Sequence, residues 1–258
     1  MSRSCGEAIA SSPGARQTAL MDQDGHSGEQ ESQEATARRN YNAMSRVYGL
    51  LSDSSEKRFV RTAIEELLRP SAGEHILEPG FGAGQVLVAL AELVGEDGHI
   101  DGIDISDGMV AQARKRVARA GLEQRVSIRQ GSVTALPYKA RSFDAVFMSF
   151  TLELFSDELI PAVLAQIRRV LKPTGRLCVA CMSAESGNAT MEKLYRWSHR
   201  RFPHFVDCRP IAAATWLTRT GFEITQRRTL DMWGLGVDLL LADVDPNAAH
   251  QETPTAAI

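Results

Sequence analysis

Short apolar runs along the chain alternate with longer segments in which apolar residues recur every three or four positions. The short runs predict strands at about 75–78, 99–104, 126–130, 143–149 and 176–182, with two more at 222–229 and 237–241. The longer segments predict helices near 84–94, 107–120, 157–170 and 209–220. This alternation favours a parallel sheet with right-handed crossovers and helices on both faces. The pattern therefore predicts an α/β fold.

Two further helical segments precede the first strand, at 35–48 and 56–68. The first 35 residues are rich in Ser, Gly, Gln and Glu, and the last sixteen are mostly small or polar and include two prolines. Segments of this composition cannot bury enough apolar surface to fold. We therefore expect a disordered tail at 1–35, one folded domain at 36–242 and a second disordered tail at 243–258.

The segment most informative about function follows the first predicted strand. Glu78 ends an apolar run, and Gly80, Gly82 and Gly84 follow on alternate positions before a helix. Glycine is needed where the backbone adopts positive φ, or where a ligand must approach the main chain without a Cβ in between. A strand that enters such a turn and leaves it as a helix places a nucleotide-like ligand at the carboxyl end of a sheet.

A second carboxylate, Asp104, ends the next predicted strand, twenty residues after Gly84. An acidic residue at this distance can accept both hydroxyl groups of a ribose. Asp104 could instead cap the following helix, but Ser106 is better placed to do so. We therefore expect Asp104 to bind a ribose.

The spacing of the glycines separates two kinds of cofactor. The dinucleotide fingerprint G-x-G-x-x-G, counted from Gly80, requires glycine at position 85, where the chain has Gln85. The carboxylate of Glu78 also disfavours a pyrophosphate and favours a ligand with an ammonium group, because like charges repel in a cleft. A nicotinamide-dependent dehydrogenase is therefore the less favoured alternative.

The turn at 78–84 resembles the first motif of the class I S-adenosylmethionine-dependent methyltransferases. Segments 126–137, 142–150 and 168–177 are similar, in order, to three later motifs of that family, and the resemblance covers about 41–240. It is greatest for the quinone-biosynthesis (menaquinone and ubiquinone) C-methyltransferases and the methyltransferase type 11 group, whose N-terminal segment is similar to the one with Tyr41 and Tyr48. The resemblance implies one Rossmann-like domain with a seven-stranded, mostly parallel sheet, a terminal hairpin with an antiparallel last strand, and two N-terminal helices that form a lid.

The resemblance also implies that S-adenosyl-L-methionine is the cofactor. Its binding residues would be Tyr48, Glu78, Gly80, Gly82, Gly84, Asp104, Ile105, Met109, Gly131, Ser132, Val133 and Ser149. Ser132 stands in the adenine loop where the family commonly has an acidic residue, and a hydroxyl accepts a hydrogen bond more weakly than a carboxylate does. After the fourth strand, the quinone enzymes carry a polar pair with Arg where this chain has Thr151–Phe155.

The family resemblance implies methyl transfer to a small, apolar or aromatic acceptor, such as a quinol-like ring or a secondary metabolite. Two alternatives remain open: methylation of a phospholipid amine, and a non-catalytic regulator that binds S-adenosylmethionine. Removal of a proton from the acceptor would need a base, for which His199, His204, Tyr48 and Glu153 are candidates. The sequence does not decide among them, so the catalytic residues stay unassigned.

The segment 183–209 far exceeds the 2–6 residues usual between a strand and the next helix. Long segments at the carboxyl edge of a sheet often bind substrate. Its central part, 191–205, combines aromatic and basic residues, so we expect it to lie over the acceptor site. An amphipathic helix with a solvated basic face is the alternative.

Composition limits the other functions. A net charge of −3 at pH 7 argues against nucleic-acid binding, which usually needs a basic excess. No run approaches the roughly 18 apolar residues of a membrane span, so we expect peripheral membrane contact at most. Cys178 and Cys181 have odd spacing on a predicted strand and should point to opposite faces, so we predict no metal site. Cysteines of this kind favour a reducing compartment, and we expect the cytoplasm. The oligomeric state stays unassigned.

Overall fold

The computed structural model describes residues 56–187, 209–232 and 234–246. Seven strands in these ranges form one sheet, in the order β3-β2-β1-β4-β5-β7-β6. They are β1 (His75–Pro79), β2 (His99–Asp104), β3 (Val126–Gln130), β4 (Phe143–Ser149), β5 (Leu171–Gly187), β6 (Phe222–Met232) and β7 (Leu235–Val244). Strands β1 to β5 pair in parallel, whereas β7 lies between β5 and β6 and is antiparallel to both. The predicted seven-stranded sheet with an antiparallel last strand is confirmed.

Helices in the described ranges cover both faces of the sheet. They are α1 (Glu56–Thr62, continued by a π-helical turn at Ala63–Leu68), α2 (Gln85–Val94), α3 (Asp107–Arg119), α4 (Ile160–Val170) and α5 (Ala213–Arg219). The first three pack on one face, in a core with Ile76 and Phe147 of the sheet. The last two pack on the other face, in a core with Leu77 and Phe143. Each fully buried large apolar side chain stabilises the fold by about 1.5–3 kcal/mol. The two cores therefore stabilise the sheet from both faces.

The order of the strands creates a crevice at one edge of the sheet. From β1 the chain builds outward through β2 to β3 and then returns to place β4 on the other side of β1. Ligands of open α/β sheets bind at such a reversal, outside the carboxyl ends of the strands. In this chain that place lies between the ends of β1 and β4, where the glycine turn leaves β1.

Some element bounds differ from the predicted ones. The fourth helix begins at Ile160 rather than 157, with Pro161 in its first turn, where a missing N–H is tolerated. The helix predicted from 209 begins at Ala213, because Ile211 instead forms a parallel bridge with Ser183 of β5. Strands β5, β6 and β7 extend past their predicted ends because they pair with one another. The last of them ends at Val244, two residues beyond the predicted domain boundary.

Several predictions concern residues outside the described ranges. These are the helix at 35–48 with Tyr48, the tail at 1–35, most of the segment 183–209 with His199 and His204, and the end of the chain after 246.

The two cysteines of β5 point to opposite faces of the sheet, as their odd spacing predicts. Cys178 belongs to the core under α1, where its Sγ lies 3.8 Å from the carbonyl oxygen of Ala63. Cys181 belongs to the core on the other face. Burial raises the pKa of the Cys178 thiol to about 12, so this side chain packs as a neutral apolar group.

Candidate cofactor site

The turn after β1 contains three glycines that serve different purposes. Gly80, Gly82 and Gly84 all have positive φ, at 71°, 53° and 77°. A Cβ on Gly80 would lie 2.3 Å from Cγ2 of Thr151. A Cβ on Gly84 would lie 2.7 Å from Cβ of Ala113. A Cβ on Gly82 would have no atom within 4 Å. Gly80 and Gly84 therefore allow close packing, whereas Gly82 presents bare backbone to open space.

The carboxylate of Asp104, at the end of β2, is joined to this turn. Its Oδ2 accepts the backbone N–H of Gly82 at 3.0 Å, and its Oδ1 accepts the N–H of Ser106 at 2.9 Å. The hydroxyl of Ser106 accepts the N–H of Met109 at 3.3 Å, so Ser106 caps α3 as predicted. Burial raises the pKa of Asp104, although the hydrogen bonds from the backbone N–H groups of Ser106, Gly82 and Ile105 oppose that shift.

Glu78 is the second carboxylate of the site and is more deeply buried. Its side chain is 2% exposed, and its Oε2 has no hydrogen-bond partner among the described residues. Burial, and after it the nearby charge of Asp104, raise the pKa of Glu78 well above its usual range. A buried polar oxygen without a partner is unfavourable, and a donor from a ligand would remove that cost.

Comparison with known proteins agrees with this geometry. Residues 76–175 match the family model described as a methyltransferase domain. The chain is 34% identical over 145 residues to a demethylmenaquinone methyltransferase of Symbiobacterium thermophilum, which covers 56% of this chain and 55% of that protein. It is 40% identical over 112 residues to a nocamycin O-methyltransferase of Saccharothrix syringae, which covers 43% of this chain and 39% of that protein.

The matched residues include the whole glycine turn and Asp104. The predicted resemblance to the class I S-adenosylmethionine-dependent methyltransferases is confirmed over these residues. A solved S-adenosylmethionine-dependent methyltransferase from Aquifex aeolicus has the same fold, with a TM-score of 0.53, 21% identity, and coverage of 73% of this chain and 89% of that one. The chain spans about half the length, or less, of the two curated relatives.

The cofactor of this methyltransferase family is S-adenosyl-L-methionine, and the residues of the domain fit it. Asp104 supplies buried carboxylate oxygens at the end of β2, where a ribose would lie. The partnerless oxygen of Glu78 suits the ammonium group of the amino-acid tail. The open space beside Gly82 lets a ligand touch the main chain between these two carboxylates.

The predicted adenine loop follows β3. The N–H of Gly131 donates to the carbonyl oxygen of Asp104 at 3.0 Å, which places the loop beside Asp104. The hydroxyl of Ser132 accepts the N–H of Thr134 at 3.2 Å and caps a short 3-10 turn at Val133–Ala135. Val133 is buried in the core, so its backbone rather than its side chain is available to a ligand. A hydrogen bond from Ser132 to adenine stays a prediction.

The remaining predicted cofactor residues flank the same edge. Ile105 is half-buried directly after Asp104, and Met109 is buried in the first turns of α3. Ser149 ends β4, and its carbonyl oxygen accepts the hydroxyl of Thr151 at 3.0 Å. The sheet topology thus brings the described members of the predicted set to one edge of the domain.

Glu153, one of the candidate bases, is buried just after β4 and is 1% exposed. Its Oε1 accepts the backbone N–H of Met182 on β5 at 3.1 Å. This contact shows Glu153 holding the end of β5, and it does not establish a role in proton transfer. Sequence reasoning assigned no role to Thr151, although its side chain fills the space above Gly80.

Membrane-spanning helices and metal-ligand clusters are both absent from the described residues. None of the helices in the described ranges combines the length and apolar character needed to cross a bilayer. Within the same ranges, no group of three or more His, Cys, Asp or Glu side chains is arranged to hold a metal ion.

Proposed function

We propose that this chain transfers a methyl group from S-adenosylmethionine to a small, apolar or aromatic molecule, such as a quinol-like ring or a secondary metabolite. The bound cofactor supplies the activated methyl group, so the demand on the protein is chiefly to hold donor and acceptor in line. The names of the two relatives, a demethylmenaquinone methyltransferase and a nocamycin O-methyltransferase, support both acceptor classes.

The observation that carries the proposal is the pair of buried carboxylates around Gly82. Glu78 and Asp104 are both less than a tenth exposed, and no Lys or Arg of the described residues pairs with either. Two buried carboxylates without a cation repel each other and disfavour a ligand with phosphates. A ligand with ribose hydroxyls and a cationic tail supplies hydrogen-bond donors for both of them.

Apolar side chains at the adjoining edge support an apolar acceptor. Phe150 follows β4, Met182 lies near the end of β5, and Leu235 and Val237 lie at the start of β7. All four are buried in the same core. These buried side chains make the interior beneath this edge apolar, and small-molecule sites are mostly apolar, with a few polar groups that orient the ligand.

The experiment has two stages. Binding of S-adenosylhomocysteine and of NAD is first measured by calorimetry, and we expect only S-adenosylhomocysteine to bind. The protein is then incubated with methyl-labelled S-adenosylmethionine and three acceptors: a demethylated naphthoquinol, a phenolic polyketide and phosphatidylethanolamine vesicles. Label in either of the first two supports the proposal.

The other outcomes separate the alternatives. Label in the lipid alone would make the chain a phospholipid N-methyltransferase. If S-adenosylhomocysteine binds but neither the three acceptors nor any molecule in a cell extract becomes labelled, a non-catalytic regulator is favoured. Binding of NAD in its place would overturn the cofactor assignment.

A further inference from the structure

The connection after β4 approaches the cofactor turn from the side opposite to β2. Phe150 has a left-handed backbone, with φ of 49°, and its N–H donates to the carbonyl oxygen of Ala180 at 2.7 Å. This conformation is unfavourable for a residue with a large side chain, so the contacts around it must hold it in place. As a result, the chain turns back from β4 toward the glycine turn after β1.

Thr151, the next residue, touches Gly80 with both branches of its side chain. Its single hydroxyl proton is shared between the carbonyl oxygens of Ser149, at 3.0 Å, and Gly80, at 3.3 Å. Its methyl group occupies the space that a Cβ on Gly80 would enter, at 2.3 Å. On the other side, the N–H of Gly80 donates to the carbonyl oxygen of Ile103 at 2.7 Å. The peptide groups on the two sides of Gly80 are therefore held by β2 and by Thr151.

The turn that carries Thr151 is itself anchored. The N–H of Leu154 donates to the carbonyl oxygen of Thr151 at 3.1 Å, and Glu153 accepts the N–H of Met182 at 3.1 Å. Because β4 ends at Ser149, β5 has no strand partner on that side at Met182. Glu153 thus joins this turn to β5 at Met182, which fixes the backbone that carries Thr151.

We propose that Thr151 is a positioning residue for cofactor binding: its hydroxyl and methyl group fix Gly80, and through Gly80 they set where Glu78 and Gly82 face the ligand. The inference rests on the proposed function, because it concerns the same cofactor site. Thr151 lies on the acceptor side of the turn, so it also fixes the cofactor turn relative to the end of β5. Methyl transfer needs such a fixed relation, since the reacting atoms must be held about 3–3.5 Å apart.

The test compares two Thr151 variants with one matched control. Thr151→Val keeps the shape and removes the hydroxyl, whereas Thr151→Ser keeps the hydroxyl and removes the methyl group. The control is Thr220→Val, because the half-buried hydroxyl of Thr220 also lies near two carbonyl oxygens, those of Trp216 and Leu217, at 2.8 and 3.2 Å. Thr220 caps the end of α5 and precedes β6, which three other strands separate from β1, the strand before Gly80.

The readouts are the Kd of S-adenosylhomocysteine by calorimetry and the Tm of the cofactor-free protein. We expect Thr151→Val to weaken binding roughly five- to tenfold, the effect of losing one hydrogen bond. Thr151→Ser, which keeps the hydroxyl, should keep most of the wild-type affinity. Thr220→Val should lower the Tm without changing the Kd. A wild-type Kd in Thr151→Val, or equal weakening in Thr220→Val, would overturn the inference.

Failure of the proposed function has a different signature. Wild-type protein that binds no S-adenosylhomocysteine would contradict the proposed function and this inference together. Wild-type protein that binds it, with Thr151→Val binding equally well, would contradict the inference alone.

Discussion

Asp104 and Gly82 are joined across the gap between two strand ends: the Oδ2 of Asp104 accepts the backbone N–H of Gly82 at 3.0 Å. This bond holds the glycine of the turn that faces open space against the carboxylate expected to bind a ribose. The turn proposed to hold the cofactor tail and the carboxylate proposed to bind the sugar are thus joined by a hydrogen bond within the protein. Pre-organisation of this kind lowers the cost of binding, because the groups need no rearrangement.

The role of Asp104 can be tested by removing its charge. Asp104→Asn keeps the shape but weakens the acceptor for the ribose hydroxyls, so the affinity for S-adenosylhomocysteine should fall by about 1.5–3 kcal/mol, or roughly 10- to 150-fold. Asp101→Asn is the control, because Asp101 is a buried acid of the same strand that instead bonds Nε2 of His75 at 2.6 Å. Equal losses in the two variants would show that the effect is a general consequence of altering β2.

Gly95 provides a control for Gly82. Gly82 and Gly95 both have positive φ, and a Cβ on either would have no atom within 4 Å. Gly95 caps the end of α2, whereas Gly82 lies in the turn proposed to bind the cofactor. We expect both Ala variants to lose about 1 kcal/mol of stability from backbone strain, but only Gly82→Ala to lose cofactor affinity. Chemical unfolding and calorimetry on both variants provide the check, and wild-type affinity in Gly82→Ala would place the ligand elsewhere.

Glu78 should make both stability and cofactor binding depend on pH. Because its pKa is raised in the folded protein, the native state binds a proton more tightly than the unfolded state does. Stability of the cofactor-free protein should therefore fall as pH rises from about 4.3, the ordinary Glu pKa, to the raised pKa of Glu78. Asp104, whose pKa is also raised, adds to the fall in the same direction.

The same proton should leave when a cationic tail binds. Calorimetry of S-adenosylhomocysteine in buffers with different ionisation enthalpies should show proton release, at a pH where Glu78 is protonated in the empty site. Glu78→Gln should remove that release and flatten the stability change between these pH values. Identical apparent enthalpies in every buffer across this pH range would show that Glu78 keeps its protonation state on binding.

An ion pair away from the site joins β5 to the segment before β1. Arg176 on β5 donates to both carboxylate oxygens of Glu74, at 2.7 and 2.8 Å, and to the carbonyl oxygen of Leu68 at 2.7 Å. Burial opposes this arrangement, yet the bonds from Arg176 leave the pKa of Glu74 below its usual value. Lys cannot make the paired contact, so Arg176→Lys should lower the free energy of unfolding by about 1–3 kcal/mol.

The control for this pair is the variant Glu74→Gln, alone and combined with Arg176→Lys. Stability from Glu74 is present above its unfolded pKa and is lost as pH falls through its lower folded pKa. The loss in Arg176→Lys should therefore shrink in acid, and it should largely vanish in the Glu74→Gln background. Additive losses in the double variant would mean that the two side chains act independently.

The strands of the site could be predicted from the sequence because they are buried on both faces. Runs such as the one ending at Glu78 have apolar side chains in both cores, and such strands appear as short continuous apolar segments. The bounds of β2 and β4 agree with the prediction, and the cap by Ser106 could be predicted from local chemistry alone. Later bounds differed because long-range pairing, as of Ile211 with Ser183, overrides helical periodicity.

The different surroundings of the glycines could not be predicted from the sequence. Gly80 and Gly82 look equivalent in the sequence, yet one packs under Thr151 and the other faces open space. The contact with Thr151 joins residues 71 positions apart. It depends on the left-handed backbone of Phe150, a conformation that Phe rarely adopts and that its presence in the sequence therefore does not indicate.

The central claim is that the turn from Glu78 to Gly84 binds a nucleoside ligand with a cationic amino-acid tail. The most direct test compares the affinities of S-adenosylhomocysteine and 5′-methylthioadenosine, which shares the nucleoside and the sulfur but lacks the tail, in wild-type protein and in Glu78→Gln. We predict that the wild-type protein binds S-adenosylhomocysteine more tightly by at least about tenfold, and that Glu78→Gln narrows this difference. Equal affinity for the two ligands in the wild-type protein would contradict the account.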